Sequence, residues 1–289
     1  MNADIVYLNG QYLPADEARV SVFDRGFLFS DSVYEVIPFY RGQGFRLEQH
    51  LARLENSLRM IALDVNHPWE AILSELISRN GGGNLSAYLQ VTRGSAGRRS
   101  VAYEADLQPT VFACCSPIKD IYAAGPEQQV EYRVIVTEDQ RWRRCDIKAT
   151  GLLPNILAQQ QARQVGADEA LLMRDGRLME GASSNLFIVR DGVIFTPSMS
   201  YGILGGTTRE LVIELALEHQ LSLQETDFGY TELIQADEVW ITSSTRGVVP
   251  VIEVDSQMIG QGNKGPIWRK MFDYFTRQQR ELMAGEGRV

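Results

Sequence analysis

The sequence predicts a mixed α+β chain of two domains, and three observations carry that expectation. Most apolar segments alternate with a period of two and are joined by tight-turn pairs, the mark of hairpin-linked strands. A few separate windows switch to a period near 3.6, as the surface helices of a globular protein do. Residues 117–129 hold proline, glycine and an Ala-Ala pair without any periodicity, which marks a linker. The expected division is a smaller N-terminal domain over 1–119, a linker over 120–129 and a larger domain over 130–289.

Residues 5–13 read as a hairpin about Asn9-Gly10, because both central positions of such a turn need positive φ and this pair tolerates it. Asp24-Arg25-Gly26 reads as a turn. Val33-Tyr34-Glu35-Val36-Ile37-Pro38-Phe39-Tyr40 is a strand whose Pro38 lacks a ladder donor, so it belongs at an edge or a bulge. From Glu48 onward Leu51, Leu54, Leu58 and Ile61 share one helical face, which puts Arg53 on that helix's flank. A second helix opens at Pro68 and stops by Asn80-Gly81-Gly82-Gly83. Strands over 85–92 and 110–116 enclose a basic, glycine-bearing loop, Arg93-Gly94-Ser95-Ala96-Gly97-Arg98-Arg99-Ser100.

Beyond the linker, Val130, Tyr132, Val134 and Val136 alternate as a half-buried strand, and residues 155–164 are helical with Gly166 as the terminating glycine. Strands over 170–173 and 185–189 flank turns at Arg174-Asp175-Gly176 and Glu180-Gly181-Ala182-Ser183-Ser184. Asp191-Gly192 turns the chain into Val193-Ile194-Phe195. Gly205-Gly206-Thr207-Thr208-Arg209 opens a helix, residues 239–242 form a strand ending in Ser243-Ser244-Thr245, and 267–282 form an amphipathic helix.

Composition narrows the function classes. Hydrophobic content of 44% and charged content of 22% are those of an ordinary soluble domain. A net charge of −9 argues against a dedicated nucleic-acid binder, which needs a basic surface. No apolar run approaches the ~20 residues of a membrane span, and residues 1–7 lack a basic region followed by an apolar one, so no signal peptide is expected. Three cysteines, two of them adjacent, provide neither a disulfide framework nor a Cys-x-x-Cys pair, so the reducing cytoplasm is the expected compartment. Three scattered histidines predict no metal site.

Lysine is the informative residue. The chain has four, Lys119, Lys148, Lys264 and Lys270, against twenty-four arginines. A Schiff base needs a primary amine, which arginine cannot supply. Lys148 lies in Arg141-Trp142-Arg143-Arg144-Cys145-Asp146-Ile147-Lys148-Ala149-Thr150-Gly151, between a strand-like and a helix-like run; alone it reads as a solvated surface lysine. Gly260-Gln261-Gly262-Asn263-Lys264-Gly265 matches a dinucleotide fingerprint, but no strand with an acidic residue ~20 positions later follows it. It is a turn into a helix. In Leu204-Gly205-Gly206-Thr207-Thr208-Arg209 the glycines admit an anion to a helix N-terminus and Thr207 and Thr208 add hydroxyls; alone, Thr208 reads as a helix N-cap. Ser243 and Ser244 can add donors to the same anion, and alone are a polar loop. Glu180, beside small residues, suits a hydrogen bond to the ring nitrogen of pyridoxal phosphate; alone, it is an exposed turn glutamate.

Together these segments resemble the class IV (fold-type IV) aminotransferases, across nearly the whole chain. The matching motifs are Asp24-Arg25-Gly26 through Val33-Tyr34-Glu35-Val36, Thr92-Arg93-Gly94, Arg144-Cys145-Asp146-Ile147-Lys148, Glu180 to Phe187, and Gly206-Thr207-Thr208-Arg209. Within the family the wording is closest to the D-amino-acid transaminases. The resemblance implies an α+β fold of a smaller N-terminal α/β domain and a larger β-rich pseudo-barrel, pyridoxal phosphate as cofactor, and a homodimer. It implies that Lys148 bonds the cofactor and moves the substrate proton, and that Glu180 holds the pyridine nitrogen. Arg53, Thr208 and Ser244 would bind the phosphate with backbone amides of Thr207 and Ser243, Leu204 would pack on the ring, and Tyr34 would sit beside the substrate.

One position departs from that pattern. D-amino-acid transaminases grip the substrate carboxylate with an Arg and, two residues on, a His from the loop after Thr-Arg-Gly, a loop that reaches the partner subunit's site. Arg98 matches the Arg; Ser100 replaces the His and brings one hydrogen bond but no charge. The expected activity is transfer of an amino group from a D-amino acid such as D-alanine to 2-oxoglutarate. Within the fold the alternatives are a branched-chain L-amino-acid aminotransferase and aminodeoxychorismate lyase. Outside that class stands a catalytically silent protein that only binds the cofactor, favoured by Ser100 alone.

Overall fold

A computed structural model describes residues 4–103, 106–119 and 123–285, and the chain divides into two compact α+β units. The first comprises Met1–Asp120, Ile147–Gly151 and Leu282–Val289; the second comprises Ile121–Asp146 and Leu152–Glu281. The five-residue segment bearing Lys148 thus belongs to the first unit although second-unit sequence flanks it on both sides.

In the first unit β1 (Ile5–Leu8) and β2 (Gln11–Pro14) form the expected hairpin, with Asn9 at φ 48° and Gly10 at φ 92°. Asp24-Arg25-Gly26, expected as a turn, instead opens a short helix, α1 (Arg25–Phe29), because the Asp24 carboxylate caps it by accepting from the Gly26 N–H at 2.8 Å. Next come β3 (Ser32–Tyr40), β4 (Gln43–Gly44), α2 (Leu47–Met60), α3 (Trp69–Arg79), β5 (Leu85–Thr92) and β6 (Thr110–Pro117). The sheet order is β2-β1-β6-β5-β3-β4, antiparallel throughout. β3 lies one strand in from the sheet's edge rather than on it, and Pro38 is accommodated there because its carbonyl accepts from the Phe45 N–H at 2.8 Å, so the donor it lacks faces away from β5, toward the residue that follows β4.

Alternation along β3, β5 and β6 sorts this sheet into two faces. Val33, Ile37, Leu89, Val91 and Ala113 are buried in one core with Leu54 and Leu58 of α2 and Leu73, Leu76 and Ile77 of α3. The opposite face carries Tyr34, Gln90 and Phe112, which lie in register across the three strands and are only half buried.

The second unit runs β7 (Tyr132–Glu138), α4 (Leu153–Gln164), β8 (Glu169–Arg174), β9 (Arg177–Gly181), β10 (Asn185–Arg190) and β11 (Val193–Thr196). It continues with α5 (Thr207–Glu218), β12 (Leu223–Glu225), α6 (Tyr230–Ile234), β13 (Glu238–Ser243), β14 (Gly247–Val254), β15 (Gln257–Met258) and α7 (Pro266–Ala284). The sheet order is β12-β11-β10-β13-β14-β7-β8-β9, with β15 on β14; β7 pairs in parallel with both β14 and β8. Residues 180 and 181, expected in a turn, end β9, where Gly181 pairs with Leu171; only residues 182–184 make the turn. Among the described residues no helix is long and apolar enough to cross a membrane.

Two glycines of the loop after β5 differ in what they tolerate. Gly94 has φ +92°, and a Cβ there would lie 1.8 Å from the Gln108 carbonyl oxygen; Gly97 has φ +67° and open space around it. Gly94→Ala is expected to lose about 3 kcal/mol or more in urea unfolding, from strain plus a backbone clash, against ~1 kcal/mol for Gly97→Ala. Equal losses would show that the close approach to Gln108 carries no weight.

Candidate active site

In the first unit Lys148 is held by its backbone. The Tyr34 N–H donates to the Lys148 carbonyl at 3.0 Å, the Lys148 N–H reaches Ser57 Oγ on α2 at 3.4 Å, and Ala149 bridges to Val33. The Thr150 N–H donates to the Ser32 carbonyl at 3.2 Å. The segment therefore lies along the start of β3, on an edge that β4 covers only at its far end. Buried Ile147 anchors it in the core, and the half-buried Lys148 side chain puts Nζ 4.4 Å from the centre of the Tyr34 ring. Tyr34 in turn packs on Tyr88 at 5.5 Å between ring centres.

Arg53 projects from α2 onto a carboxylate that the apolar core encloses. Its Nε donates to Glu35 Oε1 at 2.7 Å and its Nη2 to Glu35 Oε2 at 2.8 Å, a two-pronged pair that fixes the guanidinium plane. His50 Nδ1 lies 2.7 Å from Glu35 Oε2. Burial would raise the Glu35 carboxyl, but Arg53 and His50 outweigh it and hold it far below the usual carboxylate range. An ionised carboxylate only accepts, so His50 Nδ1 is the donor. Burial also lowers the His50 imidazole, against the pull of Glu35 and with help from the Arg53 and Lys148 charges, so it is neutral near pH 7. Arg98 is exposed and Ser100 half exposed on the loop after β5, with the Ser100 carbonyl accepting from Arg25 Nη1 at 2.6 Å.

In the second unit Glu180 is buried at the end of β9. Its Oε1 accepts from Arg141 Nη1, and its Oε2 accepts from Asn185 Nδ2 at 3.0 Å and the Leu204 N–H at 3.1 Å. A carboxylate has about four acceptor positions, so one on Oε1 remains for a ring N–H. Burial pushes the Glu180 carboxyl up and Arg141 opposes it. Arg141 is itself held on Asp139 through Nε and Nη2, both at 2.9 Å. Asn185 Nδ2 also donates to the Leu204 carbonyl at 2.8 Å, linking Glu180 to the approach of α5.

The start of α5 has the features of an anion cradle. Gly206, not Thr208, is its N-cap and makes no side-chain cap, which puts Thr207 and Thr208 in the first turn, where N–H groups lack intrahelical acceptors. A Cβ on Gly206 would lie 2.0 Å from Asn185 Oδ1, so only glycine fits. Thr207 Oγ1 is 3.4 Å from Ser244 Oγ, in the turn between β13 and β14. Neighbouring Ser243 accepts from Arg246 Nε at 2.9 Å. Arg246 Nη1 binds buried Glu169 at 2.6 Å, and Glu169 Oε1 also accepts from the Ser183 N–H and the Ser184 hydroxyl. These donors and this carboxylate suit a phosphorylated pyridine: hydroxyls and a helix N-terminus for the phosphate, and an ionic acceptor for the ring nitrogen.

Each unit gathers its own share of the expected residues: Tyr34, Arg53 and Lys148 with the Arg98–Ser100 loop in one, and Glu180, Leu204, Thr207, Thr208, Ser243 and Ser244 in the other. Sequence reasoning assigned no role to Glu35, His50, Arg141, Asn185, Glu169 or Arg246. Glu35 had a visible signal, since it occupies the inward register shared by Val33 and Ile37, where a charge demands a partner. The pairing of Arg246 with Glu169, 77 residues apart, had none.

The Glu35 cluster sets a pH dependence. Both folded pKa values are depressed, so the stability they contribute is present above the unfolded values, 6.5 for His50 and 4.5 for Glu35, and is lost as pH falls below them. Thermal unfolding is expected to drop from about pH 6.5 downward and more steeply below about 4.5. Glu35→Gln should cost about 3 kcal/mol at pH 7 by breaking a buried pair, and should flatten the steeper limb. A Glu35→Gln protein with an unchanged acid limb would refute the assignment.

Comparison with known proteins supplies the family. The model for class IV amino-transferases matches residues 32–254. The D-alanine aminotransferase of Bacillus licheniformis is 40% identical over 269 residues, covering 92% of this chain and 94% of that protein. That of Listeria monocytogenes serotype 4b (strain F2365) is 36% identical over 284 residues, covering 94% and 95%. Among solved structures, the branched-chain amino acid aminotransferase of Escherichia coli superposes with a TM-score of 0.88 at 26% identity, covering 99% of this chain and 97% of that one. The branched-chain amino acid aminotransferase of Thermobaculum terrenum, in its PLP-bound holo form, gives 0.85 at 26% identity, covering 99% and 95%. The chain belongs to the class IV aminotransferases.

Proposed function

We propose that this protein is a pyridoxal-phosphate-dependent transaminase that moves an amino group from a D-amino acid such as D-alanine to a 2-oxo acid such as 2-oxoglutarate. The observation that carries the reading is the 40% identity to a D-alanine aminotransferase over 92% of the chain, against 26% for a branched-chain structure. The working form is a cytoplasmic homodimer in which the loop bearing Arg98 and Ser100 serves the partner's substrate.

When bound, pyridoxal phosphate supplies an electron-withdrawing ring that acidifies the substrate Cα–H. Lys148 Nζ would hold the cofactor until the amino donor's own amine displaces it, and would then, released as a neutral amine, take the proton from the donor's Cα. Glu180, whose carboxylate takes hydrogen bonds from Arg141 and Asn185, accepts another from the ring nitrogen and stabilises its protonated form. Arg53 brings a permanent positive charge to the phosphate in a plane fixed by Glu35. The hydroxyls of Thr208 and Ser244 and the amides of Thr207 and Ser243 add donors, and Leu204 packs on the ring. Tyr34 and Arg98 bind the substrate carboxylate, to which Ser100 adds one hydrogen bond.

The purified protein is expected to carry a visible cofactor band that borohydride fixes to Lys148, and D-alanine is expected to convert that band to the pyridoxamine form. Lys148→Arg should lower turnover by about 10³-fold or more, as loss of a positioned base does. L-leucine, and not D-alanine, converting the band would favour a branched-chain enzyme instead. Fixation on another residue, or no band after reconstitution, would overturn the cofactor assignment. A band that no amino acid converts would mark a silent binding protein.

A further inference from the structure

Arg25 closes the neck of the loop that carries Arg98. Its backbone N–H donates to the Gly94 carbonyl at 2.8 Å, and neighbouring Asp24 bridges to Ser95, which ties the entering limb of the loop to the start of α1. Its side chain takes the other limb: Nη1 donates to the Ser100 carbonyl at 2.6 Å and Nη2 to the Val101 carbonyl at 2.9 Å. Residues 95–99 bow out between these two attachments, with Arg98 and Arg99 exposed.

This hold is built for precision rather than burial of the loop. The Arg25 residue is 4% exposed, with the Phe29 ring 5.0 Å and the Tyr103 ring 5.2 Å from its guanidinium carbon. Its Nε donates to Asp31 Oδ2 at 2.8 Å, and Arg93 Nε shares that oxygen at 2.9 Å. Arg93 spends its other nitrogens on the carbonyls of Ala62 and Ile61, at 3.2 and 2.6 Å. Burial would raise the Asp31 carboxyl, but Arg93 and Arg25 outweigh it and keep it ionised. Val101 by contrast is 77% exposed, so apolar packing does not fix the limb that Arg25 grips.

We infer that Arg25 is a positioning residue for recognition of the substrate carboxylate: by closing the loop neck it keeps Arg98 and Ser100 in the binding conformation without touching substrate. The inference rests on the functional reading above, which gives Arg98 its role. Lysine cannot replace this guanidinium, because one ammonium cannot reach two carbonyls and a carboxylate with a planar fork. A loop that samples other conformations lowers apparent affinity by the fraction that remains competent. Loss of the clasp therefore acts on substrate binding, while the cofactor and its lysine are untouched.

The test uses the holoenzyme and the variants Arg25→Gln, Arg25→Lys and Asp31→Asn. Both Arg25 variants are expected to raise KM for D-alanine about 10-fold or more, with kcat within about 3-fold and the cofactor dissociation constant unchanged. Trypsin cleavage after Arg98 or Arg99 should accelerate about 10-fold in the same proteins as the neck opens. Asp31→Asn, which loosens the guanidinium without deleting it, should shift both readouts the same way by about 3-fold, and it decides the matter if the Arg25 variants do not fold. An unchanged KM in a folded variant overturns the inference, as does parallel loss of kcat and cofactor affinity. Wild-type enzyme that converts no D-amino acid defeats the functional reading itself, and is distinguishable because it shows before any substitution is made.

Discussion

A carboxylate shut away from water must find a cation, and this chain answers that demand repeatedly with arginine. Glu35 takes Arg53, Glu180 takes Arg141, Glu169 takes Arg246, and Asp31 takes both Arg25 and Arg93. Pairs of this kind contribute little net stability, because the loss of hydration roughly offsets the attraction. Their value is geometric. A guanidinium held along one edge by a carboxylate has a fixed plane, and a carboxylate filled on three positions offers the fourth in one direction.

The same pairs divide labour between charge types. Arginine stays protonated at any physiological pH, so the cations that orient the site do not titrate with the chemistry. In the proposed reaction proton movement needs an amine that can be neutral, and Lys148 is one of four lysines in a chain with twenty-four arginines, which cannot take that role. On the proposed function the scarcity of lysine has a physical reading: fixed charge and exchangeable proton fall to different residues.

Much of the fold was legible because its turns obey local rules. Asn9-Gly10, Asp175-Gly176 and Asp191-Gly192 all adopt the positive φ values that such pairs permit, and the strands they join follow from alternation. What escaped was short or carried by a single contact. The helix α1 has five residues and depends on the Asp24 cap; β9 ends in small residues that read as a turn; Gly206 takes the N-cap place expected of Thr208. The candidate site was legible as a set of motifs in order, and its supports were not. Arg141 stood out by its wording, yet its grip on Glu180 spans 39 residues, and no local pattern carries information over that distance.

The excursion of residues 147–151 out of second-unit sequence has a consequence for how the protein can be divided. Those residues cover the otherwise unpaired start of β3, so a fragment ending at residue 120 would expose backbone donors and acceptors on a β-branched edge. Such an edge invites pairing with other chains. The first unit is therefore not a module that could be cut out, grafted or secreted alone: its sheet is finished only after the polypeptide has travelled into the second unit and come back, bringing the lysine with it.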